Sequence, residues 1–304
     1  MDQPQAFLNG QILPQGQATI PVSDAGFVLG TTVTEQLRTF AGRLFHLDDH
    51  LRRLQRSLKI VGIDLPYTTA QMVQIAEDLV RNNRQLIDEG DDLGLSLFAT
   101  PGPYASLNDG QSGQPCLAMH TYLLPFCLWA AKYDSGQALM VTAIQQTPVE
   151  CWPAELKCRS RMHYYLADRA ATAADPGARA ILQDAAGHVL EATTANLIVY
   201  FKGQGLAVPP GDQVLPGISW ATLVEIAEGL GLSHGERTLK ADDVAVADEV
   251  MLSSTPFCLL PVTRWNRQPI GDGQPGPIFR ALLSAWSQKV GVDIAGQAKA
   301  FAQR

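Results

Sequence analysis

The chain contains 304 residues, of which 46% are hydrophobic and 17% charged, so it can bury a core and global disorder is excluded. Its 23 lysines and arginines against 30 aspartates and glutamates give a formal net charge of −7. This balance argues against broad nucleic-acid binding, which needs a basic surface to neutralise phosphates. The negative net charge does not exclude a local basic pocket that binds one small anion.

Membrane, secretion and metal signals are absent from the sequence. No apolar run approaches the roughly 18 residues needed to cross a bilayer, and the first residues lack the basic start and apolar stretch of a secretory signal. Five cysteines are scattered without CxxC spacing, which predicts reduced thiols and no metal site. We therefore expect a cytoplasmic globular protein of enzyme size, with neither a membrane nor a nucleic acid as partner.

The first 123 residues predict a small α/β domain. An Asn9-Gly10 pair between two apolar runs predicts a β-hairpin, because both turn residues need positive φ. Four leucines at spacings of 4, 3 and 4 predict an amphipathic helix over residues 46–61: Leu47, Leu51, Leu54 and Leu58. The same part of the chain predicts strands over 32–40, 93–99 and 116–123 and a helix over 69–81.

Residues 124–136, which contain Pro125 and Asp134-Ser135-Gly136, predict a linker between two domains. The larger second domain is then expected over 137–304. Its predicted strands cover 138–144, 178–183, 195–201 and 249–252, and its predicted helices cover 161–174, 219–230 and 277–289. The mixture of elements predicts an α/β (α+β) fold in both domains.

Lys157 stands out among only seven lysines in the chain. It lies between an irregular, proline-containing stretch and a predicted helix, with Arg159 and Arg161 close by. Neighbouring positive charges and burial both disfavour a charged amine, and a neutral amine attacks carbonyl groups. The segment by itself fits either a Schiff-base lysine or a surface lysine in a basic turn.

Two further segments have the chemistry of a phosphate site. Residues 214–219 place proline and glycine before an apolar helix with Ser219 near its start, and such a helix start leaves N–H groups that bind phosphate. Three hydroxyl residues, Ser253-Ser254-Thr255, end a predicted strand before Pro256. Each segment alone also fits an ordinary helix start or turn.

Taken together, six blocks in one order resemble the class IV (fold-type IV) pyridoxal-phosphate (PLP) aminotransferases. This family includes branched-chain and D-amino-acid aminotransferases and aminodeoxychorismate lyase. The resemblance runs over residues 6–262. The blocks are Asp24-x-Gly26-x-x-x-Gly30 with Glu35 and Arg38, His50-Leu51-x-Arg53-Leu54-x-x-Ser57, Leu156-Lys157, Gly187-x-x-x-Glu191-x-x-x-x-Asn196-Leu197, Leu215-Pro216-Gly217-Ile218, and Ser253-Ser254-Thr255 with Pro261-Val262.

The resemblance implies PLP as cofactor and assigns roles to residues. Lys157 would hold PLP as a Schiff base and move the proton at the substrate Cα as general base and acid. Glu191 would face the pyridine nitrogen and keep it protonated. The PLP phosphate would be bound by Arg53, the backbone N–H groups of Ile218 and Ser219, the Ser219 hydroxyl, and Thr255.

The resemblance also implies the architecture and the reaction. The fold would be a small N-terminal α/β domain and a larger C-terminal pseudo-barrel domain with the cofactor between them, in a homodimer. The reaction would be ping-pong, moving an amino group from an amino acid to a 2-oxo acid.

Three positions depart from the family pattern and bear on the substrate. Pro101 stands where D-amino-acid aminotransferases carry an arginine for the substrate carboxylate, and Pro256 lacks an N–H group that branched-chain enzymes use for it. Thr34 replaces an aromatic residue common in the family and is a candidate substrate contact. Some cation must still meet the carboxylate, and we expect this to be Arg159 or Arg161.

Among substrates, a branched-chain-like amino acid is favoured. One alternative is a PLP lyase on the same fold that releases pyruvate from aminodeoxychorismate, which needs no 2-oxo acid acceptor. Another alternative is a PLP-binding protein without turnover, which any half-reaction with an amino acid would exclude.

Overall fold

The computed structural model describes residues 3–303, which form two compact units. Unit 1 takes the chain up to Leu124 together with Leu156–Ser160, and unit 2 takes Pro125–Glu155 and the chain from Arg161 onward. The chain therefore leaves unit 1, returns to it for five residues and leaves again. The sequence-based division into 1–123, 124–136 and 137–304 stays a prediction.

Unit 1 is built on one antiparallel sheet with the strand order β2-β1-β6-β5-β3-β4. The strands are β1 Gln5–Leu8, β2 Gln11–Pro14, β3 Val33–Phe40, β4 Arg43–Leu44, β5 Leu93–Thr100 and β6 Cys116–Leu123. The helices are α1 Ala25–Val28, α2 Leu47–Val61 and α3 Thr69–Asn83.

The predicted hairpin and the leucine-rich helix are both confirmed. β1 and β2 pair around Asn9 and Gly10, whose φ angles are 47° and 87°. Leu51 and Leu54 of α2 are fully buried and pack in one cluster with strand residues and α3. The helix is held by its apolar stripe, which supplies most of the stability of a surface helix.

The two faces of the unit 1 sheet differ in chemistry. One face is apolar and packs in the cluster with α2 and α3; it includes Val33, Leu37, Leu95, Leu97, Leu117 and Met119. Because side chains alternate along a strand, the residues between them point to the opposite face. Paired rows on that face include Thr34 with Phe98 and Ser96 with His120. It is therefore the polar face of the sheet.

Unit 2 contains the remaining elements, and its strands share one sheet. The strands are β7 Gln137–Val141, β8 Ala178–Gln183, β9 His188–Ala192, β10 Ala195–Phe201, β11 Gly205–Val208, β12 His234–Glu236, β13 Leu239–Lys240, β14 Glu249–Ser254, β15 Cys258–Trp265 and β16 Gln268–Pro269. The helices are α4 Lys132–Ser135, α5 Met162–Ala174, α6 Ile218–Gly229, α7 Ala241–Ala245, α8 Pro277–Val290 and α9 Ile294–Ala300. Within residues 3–303, no helix combines the length and apolar character needed to span a bilayer.

The sheet of unit 2 closes on itself. Its strands follow the order β10-β14-β15-β7-β8-β9, and β9 pairs again with β10, which makes a ring. The ring is the predicted pseudo-barrel. Strand β15 was not predicted from the sequence; it contains Pro261, and proline argues against an internal strand. Pro261 pairs with Met251 on one side only, since pairing with β7 begins at Val262.

Candidate functional site

Helix α2 carries a polar stripe beside its leucine stripe. His50, Arg53 and Ser57 follow one another at spacings of 3 and 4, so they lie on one side of the helix, and all three are buried. Each of them hydrogen-bonds a residue outside the helix: Glu35 of β3 or Lys157. The neighbouring Arg52 is exposed, as expected for a surface charge.

Glu35 is the centre of a buried charged cluster. Its carboxylate accepts hydrogen bonds from Arg53 Nε at 2.7 Å, Arg53 Nη2 at 2.8 Å and His50 Nδ1 at 2.7 Å. The side chain of Glu35 is 0% exposed and that of Arg53 is 7% exposed. A buried ion pair of this kind costs desolvation, which the bidentate geometry and the third donor offset.

The protonation states of the cluster follow from its geometry. Burial by itself would raise the pKa of Glu35, but the charge of Arg53 and the hydrogen bonds from Arg53 and His50 outweigh it and lower the pKa to about 2. Burial lowers the pKa of His50, against the opposing effect of Glu35. Glu35 is thus an anion and His50 a neutral imidazole that donates through Nδ1. Among the described residues, His50 Nε2 has no hydrogen-bond partner.

This cluster determines how Arg53 could meet a phosphate. A guanidinium presents two bidentate edges, and Glu35 takes the edge formed by Nε and Nη2. A further ligand of Arg53 would have to approach outside the edge that Glu35 takes. Because both partners of the ion pair are buried, Glu35 orients Arg53 before any ligand arrives.

Lys157 lies in a short strand-like segment that extends the sheet of unit 1. Its carbonyl accepts from Thr34 N–H at 3.0 Å, and Arg159 N–H donates to the Thr32 carbonyl at 2.9 Å. Lys157 N–H also donates to Ser57 Oγ at 3.1 Å. Val33 and Cys158 form a bridge, so side-chain alternation puts Lys157 and Arg159 together on the face opposite Cys158.

The two candidate arginines for a substrate carboxylate are placed differently. Arg159 donates through Nη2 to Ser96 Oγ at 2.9 Å, and its guanidinium lies 4.7 Å from the centre of the Phe98 ring. Both contacts are on the polar face of unit 1. Arg161 belongs to unit 2, where it occupies the N-cap position of α5 without a side-chain capping hydrogen bond. Only Arg159 shares a strand face with Lys157.

Thr34 is 1% exposed, and its hydroxyl donates to the Leu97 carbonyl at 2.9 Å. The donor hydrogen of Thr34 is therefore used inside the sheet. A contact with substrate would have to use its methyl group or its lone pairs.

In unit 2, three candidate polar residues form one row across the barrel wall. Glu191 of β9 is opposite Asn196 of β10, which is opposite Ser253 of β14. Directly opposed residues point to the same face with their Cβ atoms about 5 Å apart. All three side chains therefore share one face of the sheet.

Glu191 is buried and accepts hydrogen bonds from three groups. Tyr164 Oη at 2.7 Å and Gln146 Nε2 at 2.6 Å both donate to its Oε1, and Leu215 N–H donates to its Oε2 at 3.3 Å. Tyr164 lies in the first turn of α5, and Gln146 follows β7. The carboxylate is thus fixed in orientation from two sides.

The loop before α6 is tied to the same row. Asn196 Nδ2 donates to the Leu215 carbonyl at 2.8 Å, and Gly217 lies so close to Asn196 Oδ1 that a Cβ would collide with it. Gly217 is the N-cap of α6 and has no side chain that could accept from the backbone N–H groups of the first turn, which include those of Ile218 and Ser219.

The hydroxyl residues of the last block lie where β14 ends. Ser253 is fully buried, and within the described part of the chain its Oγ has no hydrogen-bond partner. A buried hydroxyl without a hydrogen-bond partner lowers the stability of the fold by about 1–3 kcal/mol unless a ligand supplies the partner. Thr255 is half-buried in the turn between β14 and β15. These hydroxyls and the uncapped start of α6 are donors that suit a phosphate.

The family model described as "Amino-transferase class IV" matches residues 32–265, a stretch that includes Glu35, Arg53, Lys157 and Glu191. The chain belongs to the class IV aminotransferases. It is therefore an aminotransferase, a PLP-dependent transferase that acts on amino acids and 2-oxo acids.

Relatives and solved structures agree with this membership. The D-alanine aminotransferase of Bacillus licheniformis is 26% identical over 287 residues, which cover 94% of this chain and 97% of the relative. The branched-chain aminotransferase of Thermoproteus uzoniensis, solved with norvaline, has a TM-score of 0.81 at 23% identity and covers 95% of this chain and 95% of its own. The holo-form branched-chain enzyme of Thermobaculum terrenum has a TM-score of 0.83 at 22% identity, covering 99% and 97%. The predicted fold-type IV architecture is confirmed.

The residues present fit PLP. Unit 1 has a buried, pre-oriented arginine and a half-buried lysine, and unit 2 has an uncapped helix start and a buried serine hydroxyl that has no hydrogen-bond partner among the described residues. Glu35 was part of a sequence motif but was given no role there, and neither Gln146 nor Tyr164 was predicted as a site residue. A signal existed for Glu35, because it lies between Val33 and Leu37 on the apolar face of β3. No comparable signal marks Tyr164, which stands beside Tyr165 in the same helix.

Proposed function

We propose that this aminotransferase moves the amino group through Lys157: its amine would condense with the cofactor aldehyde with loss of water, the substrate amine would displace it, and the released Nζ would then carry the proton at the substrate Cα. One observation supports this above all: Lys157 and Arg159 lie on one side of a strand segment that β3 and Ser57 hold in place. Side chains two apart on a strand are roughly 6.6 Å apart along it. That spacing suits a substrate whose amine meets one residue and whose carboxylate meets the other.

The other cofactor contacts follow from the chemistry of each donor set. Arg53, oriented by Glu35, would bind the phosphate. The N–H groups of Ile218 and Ser219, the Ser219 hydroxyl and Thr255 would add donors to the phosphate. Glu191 would accept a hydrogen bond from the protonated pyridine nitrogen. When bound, PLP supplies the electron sink that stabilises the deprotonated substrate.

For the amino donor, we propose a branched-chain-like amino acid. A relative from Methanocaldococcus jannaschii, 26% identical over 292 residues and named a putative branched-chain-amino-acid aminotransferase, supports this, as does Phe98, whose ring offers an apolar contact next to Arg159. A second candidate is D-alanine, because relatives that align over 93–94% of the chain are named D-alanine aminotransferases.

A donor panel tests the reaction and distinguishes these candidates. The PLP-loaded protein is mixed with L-leucine, L-isoleucine, L-valine or D-alanine, and the visible absorbance of the cofactor is followed without acceptor. We expect the absorbance to fall with the branched-chain donors and to return when 2-oxoglutarate is added. If the absorbance falls with D-alanine alone, the amino donor is D-alanine and not a branched-chain amino acid. Pyruvate released from aminodeoxychorismate without acceptor would identify a lyase, and no response to any donor would indicate a PLP-binding protein without turnover.

Arg159 is proposed as the cation that binds the substrate α-carboxylate. Arg159→Ala should raise the KM of the amino donor about tenfold with a smaller change in kcat, because a charge-assisted hydrogen bond contributes about 1.5 kcal/mol or more. Steady-state kinetics with varied donor and saturating 2-oxoglutarate measures it. Ser96→Ala, which removes the hydroxyl that holds Arg159, should produce a smaller increase.

Arg161→Ala is the matched comparison, since it removes the other candidate cation. We expect its donor KM to stay within about twofold of the wild-type value. If the donor KM rises in Arg161→Ala and the kinetics of Arg159→Ala are unchanged, Arg161 and not Arg159 binds the substrate carboxylate.

Two further proposals concern assembly and location. We propose a homodimer, as the family resemblance implies, and the exposed apolar side chains of Phe27 and Leu29 support it because they offer apolar surface for a partner copy. We propose a cytoplasmic location, supported by five cysteines that are all free thiols.

A further inference from the structure

The hydrogen bonds around Glu191 form a directed network in unit 2. Tyr164 Oη and Gln146 Nε2 both point at Glu191 Oε1, at 2.7 and 2.6 Å. Behind Gln146, its Oε1 accepts from Thr147 N–H at 3.2 Å and lies 2.8 Å from His163 Nε2. Tyr164 of α5 and Gln146 after β7 thus donate to a single carboxylate oxygen, and His163, the neighbour of Tyr164, contacts Gln146 from behind.

The direction of each hydrogen bond is determined by chemistry. A carboxylate only accepts, so Gln146 must turn its NH₂ group toward Glu191 and its carbonyl toward Thr147 and His163. His163 then donates through Nε2. Burial raises the pKa of Tyr164 well above its ordinary value, and the charge of Glu191 and its hydrogen bond add to this effect. Tyr164 therefore stays protonated and donates throughout the physiological range.

We propose that Tyr164, with Gln146, is a positioning residue for the transamination chemistry: the two donors hold Glu191 as a weakly basic anion, so that the proton it shares with the cofactor stays on the pyridine nitrogen. This inference rests on the proposed role of Glu191. Two strong donors on Oε1 withdraw charge from the carboxylate and make it a poorer proton acceptor.

Removing the Tyr164 hydroxyl should shift the shared proton from the pyridine nitrogen toward Glu191, while the protein still binds PLP. Tyr164→Phe deletes a single oxygen and retains the ring, while Gln146 still donates to Oε1 and Leu215 to Oε2. The electron sink depends on a protonated pyridine nitrogen, so the chemical step should slow. The phosphate contacts are untouched, so the affinity for PLP should change little.

The experiment compares Tyr164→Phe, Glu191→Gln and their double variant as holoenzymes, with Tyr165→Phe as control. Tyr165 is the next residue of α5, is 61% exposed and contacts Arg169 rather than Glu191. We expect Tyr164→Phe to lower kcat about tenfold with donor KM and PLP Kd within about threefold of wild type. The absorbance maximum of its bound cofactor should move in the same direction as in Glu191→Gln, by less. In the Glu191→Gln background, Tyr164→Phe should add no further shift.

The outcomes separate this inference from the proposed function. If Glu191→Gln changes neither the spectrum nor kcat, the role of Glu191 fails and this inference with it. If Glu191→Gln changes both while Tyr164→Phe behaves like Tyr165→Phe, only the role of Tyr164 fails. A weaker PLP affinity without a spectral shift, or effects that add in the double variant, would indicate a purely structural tyrosine. Gln146→Ala serves as a second variant and should shift the spectrum in the same direction.

Discussion

Lys157→Ala should abolish transamination, lowering kcat at least about 10³-fold, because it removes both the covalent attachment and the group that moves the proton. General acid–base catalysis alone contributes roughly 10² to 10⁴ in rate. The assay is 2-oxo acid formation from the best donor in the panel. Borohydride reduction of the wild-type holoenzyme followed by peptide mapping should find the cofactor mass on the peptide that contains Lys157.

Lys59→Ala is the matched control, since Lys59 is an exposed lysine in the last turn of α2. It should retain wild-type kinetics, and its reduced holoenzyme should still carry the cofactor at Lys157. Modification of another lysine, or a Lys157→Ala variant that still turns over at more than a tenth of the wild-type rate, would refute the assignment.

Glu35→Gln should lower the free energy of unfolding by about 3–5 kcal/mol at pH 7, the usual cost of breaking a buried ion pair. The substitution leaves the Arg53 guanidinium buried beside a neutral amide, and His50 loses its charged acceptor. Urea unfolding followed by far-UV circular dichroism measures the effect. The exposed ion pair of Glu225 with Lys289 supplies the control, and Glu225→Gln should cost at most about 1 kcal/mol.

The pH dependence gives this prediction a second readout. The pKa of Glu35 falls from 4.5 to about 2 on folding, so its stabilisation is present above pH 4.5 and is lost as the pH falls toward 2. The difference in unfolding free energy between wild type and Glu35→Gln should therefore shrink between pH 5 and pH 2. A difference that stays constant across this range would contradict an ionised Glu35 in the fold.

Local patterns were sufficient to predict several elements and the polar block on α2. The leucine spacing predicts α2 because its apolar stripe repeats at the helical period, and the Asn9-Gly10 pair predicts the first hairpin. The predicted helix 277–289 and the predicted strands 178–183 and 195–201 also agree with the structure. Strands β9, β11 and β15 were missed because they are short or contain proline, and pairing with neighbours stabilises them more than local preference does.

The site residues divide in the same way. The motif containing Arg53 and the block containing Lys157 are visible in sequence, but the partner of each is not. A phosphate contact was expected of Arg53, but only the structure shows that Glu35 takes its Nε–Nη2 edge. Arg159 and Arg161 were equivalent candidates until strand alternation placed Arg159 beside Lys157.

By itself, the sequence determined the family and the cofactor class, because these show in short blocks of fixed residue spacing that follow one another in the family's order. The tertiary structure alone decided that Glu35 orients Arg53 and that Tyr164 and Gln146 hold Glu191. These contacts join residues 18, 27 and 45 positions apart. A hydrogen bond acts over about 3 Å, so it depends on strand register and helix placement, which no local pattern encodes.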